Sequence, residues 1–269
     1  MMSAPLDTTV AHAARRYDYL LGGKDNFAAD RESGDQLVTA FPAIRTAAVE
    51  NRRCLNRVVR YLASEAGIRQ FLDIGTGLPT APNVHEIAQA VDPDVRVVYV
   101  DNDPVVMAHA RALLTPKPPG VTATVEADLR DPAAILHSAA LRRTFDLTRP
   151  VAVLLFAVLH FIDDHDNPFR VVADLLAALP PGSYLALSHV TFDPLPDDVR
   201  VRLTKLADPA AGHGTFRART RQEITRFADG LQLIEPGVVS VVDWHPIDDQ
   251  ATRPTPAETA FDAFVARLP

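Results

Sequence analysis

Cysteine is nearly absent from this sequence: Cys54 is the only one in 269 residues. A lone thiol excludes an internal disulfide framework, zinc-finger spacing and CxxC redox chemistry, and it points to a fold that stands on packing in a reducing compartment. Long hydrophobic runs are missing too. The longest, Val151 to Leu159, spans nine residues and closes at His160. A membrane span requires about 20, so this run reads as a buried strand. Surplus positive charge is also lacking, with 34 acidic residues against 27 Lys and Arg and a net charge of −7. A protein that coats nucleic acid leans on a basic stripe, so no nucleic-acid partner is expected. The opening Met1-Met2-Ser3-Ala4-Pro5-Leu6-Asp7 has no basic or apolar signal region, so no secretion signal or membrane association is expected and the protein is placed in the cytoplasm. What is present is an ordinary globular balance, 47 % hydrophobic and 23 % charged, which excludes wholesale disorder.

Short β-branched or aliphatic runs alternate with segments of helical period. Strands are expected at Gln70–Ile74, Arg96–Asp101, Val121–Ala127, Val151–Ala157 and Ser183–Val190, with helices at about 84–91, 104–114, 131–142 and 167–179. Such alternation builds a mostly parallel sheet with helices on both faces. Asp103-Pro104 and Asp131-Pro132 each place a capping carboxylate before a proline at the first helical position, and Asn83 with Glu86 forms a capping-box pattern. Leu231–Glu235 and Val238–Trp244, separated only by Pro236-Gly237, are expected to form an antiparallel hairpin at the sheet edge. The first 65 residues read as helical, ending in a long amphipathic helix from Ile44 to Ser64. This segment and the stretch from Thr191 to Thr215 are candidates for a lid over the carboxyl ends of the strands, where open α/β sheets bind ligands.

Phe71-Leu72-Asp73-Ile74-Gly75-Thr76-Gly77-Leu78-Pro79-Thr80 follows the first strand. Glycines 75 and 77 permit a sharp turn and close approach to a ligand. A dinucleotide fingerprint would place a third glycine at position 80, which is threonine, and would not want Asp73 beside a pyrophosphate. A carboxylate there suits an ammonium or a sulfonium. Asp101 ends the second strand 24 residues after Gly77, where a carboxylate accepts the ribose hydroxyls of an adenosine; helix capping is the alternative, though Asp103 is better placed for it. Glu126-Ala127-Asp128-Leu129 closes the third strand, and Asp128 either faces a ligand or serves the next helix. The fourth strand ends in Leu155-Phe156-Ala157-Val158-Leu159-His160-Phe161. His160 there and His189 near the end of the fifth strand are the candidate general bases, against satisfied structural histidines. The run Asp163-Asp164-His165-Asp166 has no spacing that converges on a metal, so none is expected.

On the amphipathic helix Ala48, Leu55, Val59 and Leu62 form an apolar stripe, and Arg52 falls on it. A charge on a buried face needs a partner, so Arg52 is expected to face the ligand and pair with Asp73 or with a ligand carboxylate. Arg53, Arg57 and Arg60 read as solvated charges. Tyr17, Tyr19 and Phe27 offer aromatic faces to a cation, or anchor the leading helix.

The Asp-x-Gly-x-Gly loop resembles the first motif of Rossmann-like S-adenosylmethionine methyltransferases, Asp128 resembles their adenine-binding acid, and the Leu-His strand end resembles their small-molecule branch. Together with the Arg15-to-Phe27 segment (RRYDYLLGGKDNF), "FLDIGTGLPTAPNVHEIAQ", "VVYVDNDPVVMAHAR", "ADLRDP" and "LHF", the chain resembles S-adenosyl methyltransferase family 19, long known as a domain of unknown function, from about Ala14 to Trp244. The resemblance implies an α/β Rossmann-like methyltransferase fold, with a mostly parallel seven-stranded sheet, an antiparallel C-terminal hairpin and an N-terminal helical lid. It implies a single domain over 1–269: a lid at 1–65, a cofactor-binding core at 66–190, a cap insertion at 191–218, and a C-terminal helix, hairpin and tail at 219–269. S-adenosyl-L-methionine is the implied cofactor. Its candidate site comprises Tyr19, Gly23, Arg52, Asp73, Gly75, Thr76, Gly77, Asp101, Asn102, Ala127, Asp128, Leu129, Phe156, Ala157 and Val158. The expected activity is methyl transfer to a small-molecule acceptor by a monomer or homodimer. The alternatives are a non-catalytic S-adenosylmethionine-binding protein and an NAD-dependent oxidoreductase.

Overall fold

The computed structural model describes residues 7–115, 118–208, 214–246 and 253–269. Residues 1–6 of the segment read for a signal, residues 116–117, residues 209–213 of the expected cap insertion and residues 247–252 of the expected tail lie outside the described residues. Three helices lead the chain: α1 (Ala13–Leu20), α2 (Ala28–Ala40) and α3 (Ile44–Ser64). Then follow β1 (Gln70–Ile74), α4 (Val84–Val91), β2 (Arg96–Asp101), α5 (Pro104–Leu113), β3 (Val121–Glu126), α6 (Pro132–Leu136), α7 (Ala139–Thr144), β4 (Ala152–Phe156), α8 (Pro168–Ala177) and β5 (Tyr184–Val190). The last third contains α9 (Asp197–Leu206), α10 (Arg221–Thr225), β6 (Gln232–Leu233), β7 (Val239–Ser240), α11 (Pro256–Thr259) and β8 (Phe261–Arg267).

Local chemistry accounts for the helix starts. Asp103 accepts the Val105 N–H at 2.7 Å ahead of Pro104, and Asp131 accepts the Ala134 N–H at 3.0 Å ahead of Pro132. The Asn83–Glu86 capping box starts α4. The helix expected over 131–142 is two helices, because Ser138 leaves the helical path and caps α7 through the Leu141 N–H.

The strand order is β3-β2-β1-β4-β5-β8-β6. β1 to β5 are mutually parallel, and β8 lies antiparallel along the whole of β5, from Tyr184 opposite Arg267 to Val190 opposite Phe261. Successive residues point to opposite faces and feed two cores. Phe71, Val97, Leu154 and Val265 pack beneath α3 and α4, while Leu72, Val98, Leu155 and Phe264 pack on the other side against α8. No helix among the described residues is long and apolar enough to cross a membrane.

The C-terminal hairpin is corrected. β6 and β7 do not pair with each other; both pair with β8, Leu233 opposite Ala266 and Val239 opposite Ala263. A seven-residue central strand carries a full row of backbone donors and acceptors on its outer edge, and two short segments laid end to end satisfy it. The expected tail therefore contains the strand that joins the parallel sheet to its antiparallel edge. Arg57 is also corrected. It is not a solvated charge, because its guanidinium donates to the Trp244 carbonyl at 3.0 Å and to Val241, tying α3 to the 241–244 turn.

Candidate functional site

The carboxyl ends of β1, β2 and β3 lie side by side, and hydrogen bonds tie each of their three acids to the loops that follow β1 and β2. The Gly75 and Thr76 N–H groups donate to the Val100 carbonyl at 2.8 and 3.2 Å, folding the loop after β1 back over β2. Gly75 has φ +71, and a Cβ there would stand 2.5 Å from Cγ2 of Val158. Only glycine satisfies both constraints. Asp73 is buried and accepts the Thr76 hydroxyl at 3.0 Å. Burial pushes its carboxyl up to about 6, with the nearby Arg52 charge acting the other way. One oxygen of Asp101 accepts the Gly77 N–H at 2.9 Å and the other accepts the Asp103 N–H at 3.0 Å. Burial raises this carboxyl as well. Asn102 donates to Asp128 at 3.3 Å.

Asp128 differs from the other two acids. It is half-exposed and held by Arg130 through two bonds of 3.0 and 2.6 Å. These hold its carboxyl down at about 2, so near neutral pH it is ionised and accepts. Its neighbours divide: Ala127 is half-buried and Leu129 buried. Arg52 comes to this edge as expected, but without an ion pair to Asp73. It donates to the carbonyls of Thr80 and Pro82, and its buried Nε has no partner. An orphaned donor beside two glycines and three fixed acceptors suits a ligand that carries a nucleoside at one end and a zwitterion at the other.

At the end of β4, Ala157 adopts φ +54 and its N–H donates to the carbonyl and hydroxyl of Ser188. Phe156 is buried behind it, while Ala157 and Val158 are half-buried at the edge, Val158 against Gly75. The next turn, Leu159–Phe161, carries His160, whose ring is 4.2 Å from Phe161, 5.3 Å from Phe216 and 5.9 Å from Phe261, centre to centre. His160 is 3 % exposed and its Nδ1 has no hydrogen-bond partner. Burial holds it well below the usual histidine range. His189 is fully buried and occupied at both nitrogens. Arg219 Nη1 lies 3.0 Å from its Nε2, and since arginine only donates, Nε2 accepts and Nδ1–H donates to the Val190 carbonyl at 2.8 Å. Burial takes this imidazole down to about 3.

The leading helices cover this edge. His12, the N-cap of α1, places Nδ1 2.9 Å from Asp103, next to Asp101, and Asp25 lies 3.7 Å from His109 on α5. Tyr19 spends its hydroxyl on Asp35 at 2.7 Å and its ring beneath Arg45 at 4.6 Å. Phe27 lies under Arg15 in the same way. Gly23 closes the turn after α1, donating to the Asp18 carbonyl at 2.8 Å. Tyr17 and Arg16, on the same helix, line a cavity of about 100 Å³ together with His160, Phe216 and residues of α9. His12 and Arg219 carry no sequence signal, because each has a role only through a partner remote in the chain. The acids beyond His160 turn outward, with Asp164 pairing Arg217 at 3.0 Å and Arg219 at 2.6 Å.

A parallel sheet closed by an antiparallel strand beyond β5, with a glycine loop and three strand-end acids at one edge, defines the Rossmann-like methyltransferase class. The sequence model of the S-adenosyl methyltransferase family matches residues 1–269, and the chain belongs to that family. Its cofactor is S-adenosyl-L-methionine. Among solved structures it is similar to a DUF574 family protein from Streptomyces avermitilis, 49 % identical over 98 % of this chain and 99 % of that one, with a TM-score of 0.93. It is also similar to a candidate methyltransferase from Thermobifida fusca, 42 % identical over 100 % and 99 % of the two chains, with a TM-score of 0.88. Comparison with curated proteins gives no match.

Proposed function

We propose that this protein transfers the methyl group of S-adenosylmethionine to a small-molecule acceptor, under a lid formed by the leading helices α1 to α3 and a cap that includes α9. The observation that carries this reading is the set of three acids, Asp73, Asp101 and Asp128, each fixed by hydrogen bonds along three neighbouring strand ends. Asp101, with each oxygen already fixed by one backbone N–H, keeps a lone pair on each for the two ribose hydroxyls. In this reading Asp128 takes the adenine amino group, and Asp73 and Arg52 take the ammonium and carboxylate of the methionine end. When bound, the cofactor supplies a methyl carbon on a cationic sulfur, open to in-line displacement. The protein's own task is then orientation in a dry site, worth roughly 7–11 kcal/mol when the alignment is good.

The Val158–Phe161 turn links the two halves of the site, with Val158 on the cofactor loop and His160 in the cavity. An acceptor hydroxyl in the cavity meets the His160 ring, which burial keeps neutral. That ring takes the hydroxyl proton as the oxygen attacks, a contribution of about 10²–10⁴-fold. His189, locked by Arg219 and Val190, holds its neighbours in place instead. The test is titration of the full chain with S-adenosylmethionine, then with the Asp101→Ala variant, followed by a labelled-methyl transfer screen. One-to-one binding that weakens on the order of 10²–10⁴-fold in the variant supports the reading, since each of the two hydrogen bonds to the charged carboxylate is worth about 1.5–3 kcal/mol. Equal affinity of both proteins for the cofactor contradicts it, and binding without transfer to any acceptor favours a sensor.

A further inference from the structure

The amino ends of β1, β4 and β5, at the opposite end of the sheet from the three acids, carry a pocket of about 250 Å³. Arg69, Arg149 and Arg267 line it, and no acidic residue is part of its described wall. In a chain with a net charge of −7, such a grouping is not a by-product of composition. The arginines stand on fixed backbone. The Gln70 side-chain amide donates to the carbonyls of Asp146 and Arg149 at 2.9 and 3.1 Å, and its oxygen accepts the Asp146 N–H at 2.6 Å, which pins the loop before β4. Arg267 ends β8 opposite Tyr184, and the next residue, Leu268, accepts the Gly182 N–H at 3.1 Å. A Cβ on Gly182 would lie 3.6 Å from Nη2 of Arg267, so that guanidinium sits beside the turn before β5.

The three charges are unevenly spent. Arg69 pairs with Asp92 at 2.6 Å and donates to the Ala63 carbonyl at 2.8 Å. The guanidinium groups of Arg149 and Arg267 have no partner among the described residues. Asp146, on the same loop as Arg149, turns its carboxylate to Thr148 instead. Tyr184 adds a neutral donor. It lines the pocket and is 8 % exposed. Its hydroxyl has no partner, yet it is not among the unpaired side-chain atoms sealed from solvent, so it opens into the pocket. Two guanidinium groups, which only donate, and one free hydroxyl call for a ligand rich in acceptors.

We propose that this pocket binds a small phosphate dianion, free or as a phosphomonoester, through Arg149, Arg267 and the Tyr184 hydroxyl. Two unpaired guanidinium charges match the charge of about −1.5 to −2 that a phosphomonoester carries at pH 7, whereas a single carboxylate leaves one of them uncompensated. The forked N–H pairs of arginine fit phosphate oxygens two at a time. The space is below the ~300 Å³ at which pockets for drug-sized ligands begin, so the guest is small. The site shares no residue with the edge that carries the three acids, and it stands or falls independently of the methyl acceptor.

The test titrates the full chain, near pH 7 and at constant ionic strength, with inorganic phosphate, with glycerol 2-phosphate and with acetate. Arg149→Ala, Arg267→Ala and Tyr184→Phe accompany the wild type; both arginines are exposed and the third change keeps the ring, so the fold is retained. Arg170→Ala, which removes an exposed arginine paired with Asp174 on α8, controls for the loss of one charge. One of the two phosphates is expected to bind about tenfold or more tightly than acetate. It is expected to lose about tenfold in each pocket variant and nothing in Arg170→Ala. A preference for glycerol 2-phosphate supports a site for a phosphorylated metabolite, and a preference for inorganic phosphate supports a site for the free ion. Acetate bound as tightly as the phosphates, no binding of either phosphate, or binding indifferent to the pocket variants overturns the proposal.

Discussion

His160 and His189 stand 5.6 Å apart, ring centre to ring centre, and their partners put them to opposite uses. His189 has a fixed tautomer between Arg219 and Val190, whereas His160 lines the cavity and keeps a buried Nδ1 without a partner. In a transfer assay His160→Ala is expected to lower kcat by about 10²–10⁴-fold with cofactor affinity nearly unchanged, and His160→Gln to restore acceptor binding without restoring kcat. Unaltered kcat in both would remove His160 from the chemistry. Asp73 gives a pH dependence with a definite sign. Its folded value of about 6 lies above the unfolded 3.8, so between these values the folded chain holds a proton that the unfolded chain has released. From this group alone, apo stability falls as pH rises through that window and is level above it. A ligand ammonium is held by the ionised form, so cofactor affinity should rise from pH 5 to 7 and then flatten. Titrations across that range check it, and an affinity that falls towards pH 7 would show that Asp73 does not face the cation.

Among the elements, the strands were legible where burial on both faces leaves a short apolar run between polar ends. β1 and β2 begin and end where that pattern does. β8 was not, because Asp262 and Arg267 interrupt its apolar residues. Asp262 is buried only through Arg221, which donates to both its oxygens at 2.8 Å from 41 residues away. The three strand-end acids were legible because each stands at a fixed offset from a strand. The cavity was not, since it is assembled from α1, α9 and β8, which only the folded chain brings together. The turn carrying His160 depends on Arg219, fully buried and donating to the carbonyls of Leu159 and Ile162 at 3.0 and 3.1 Å. Replacing it by methionine leaves those carbonyls and His189 unpaired, and should cost on the order of 3–5 kcal/mol. For a chain of this size that corresponds to a fall in Tm of about 10 °C in a calorimetric scan. A shift of a degree or so would mean that the turn holds itself.

At the scale of the whole molecule, the sheet and its two cores form a base, and the leading helices meet the edge that carries the three acids through partly exposed polar contacts such as His12–Asp103 and His109–Asp25. Such contacts open more readily than a core. Hydrogen exchange should therefore show α1 and the 22–27 turn gaining protection when S-adenosylhomocysteine binds, with β1, β4 and β5 unchanged; no gain in α1 would mean that the leading helices are fixed and not a lid. The central claim is that Asp73, Asp101 and Asp128 serve one nucleoside. A crystal structure of the S-adenosylhomocysteine complex tests it directly. The account predicts both ribose hydroxyls on Asp101 and the adenine amino group at Asp128, and a nucleoside bound away from these carboxylates would contradict it.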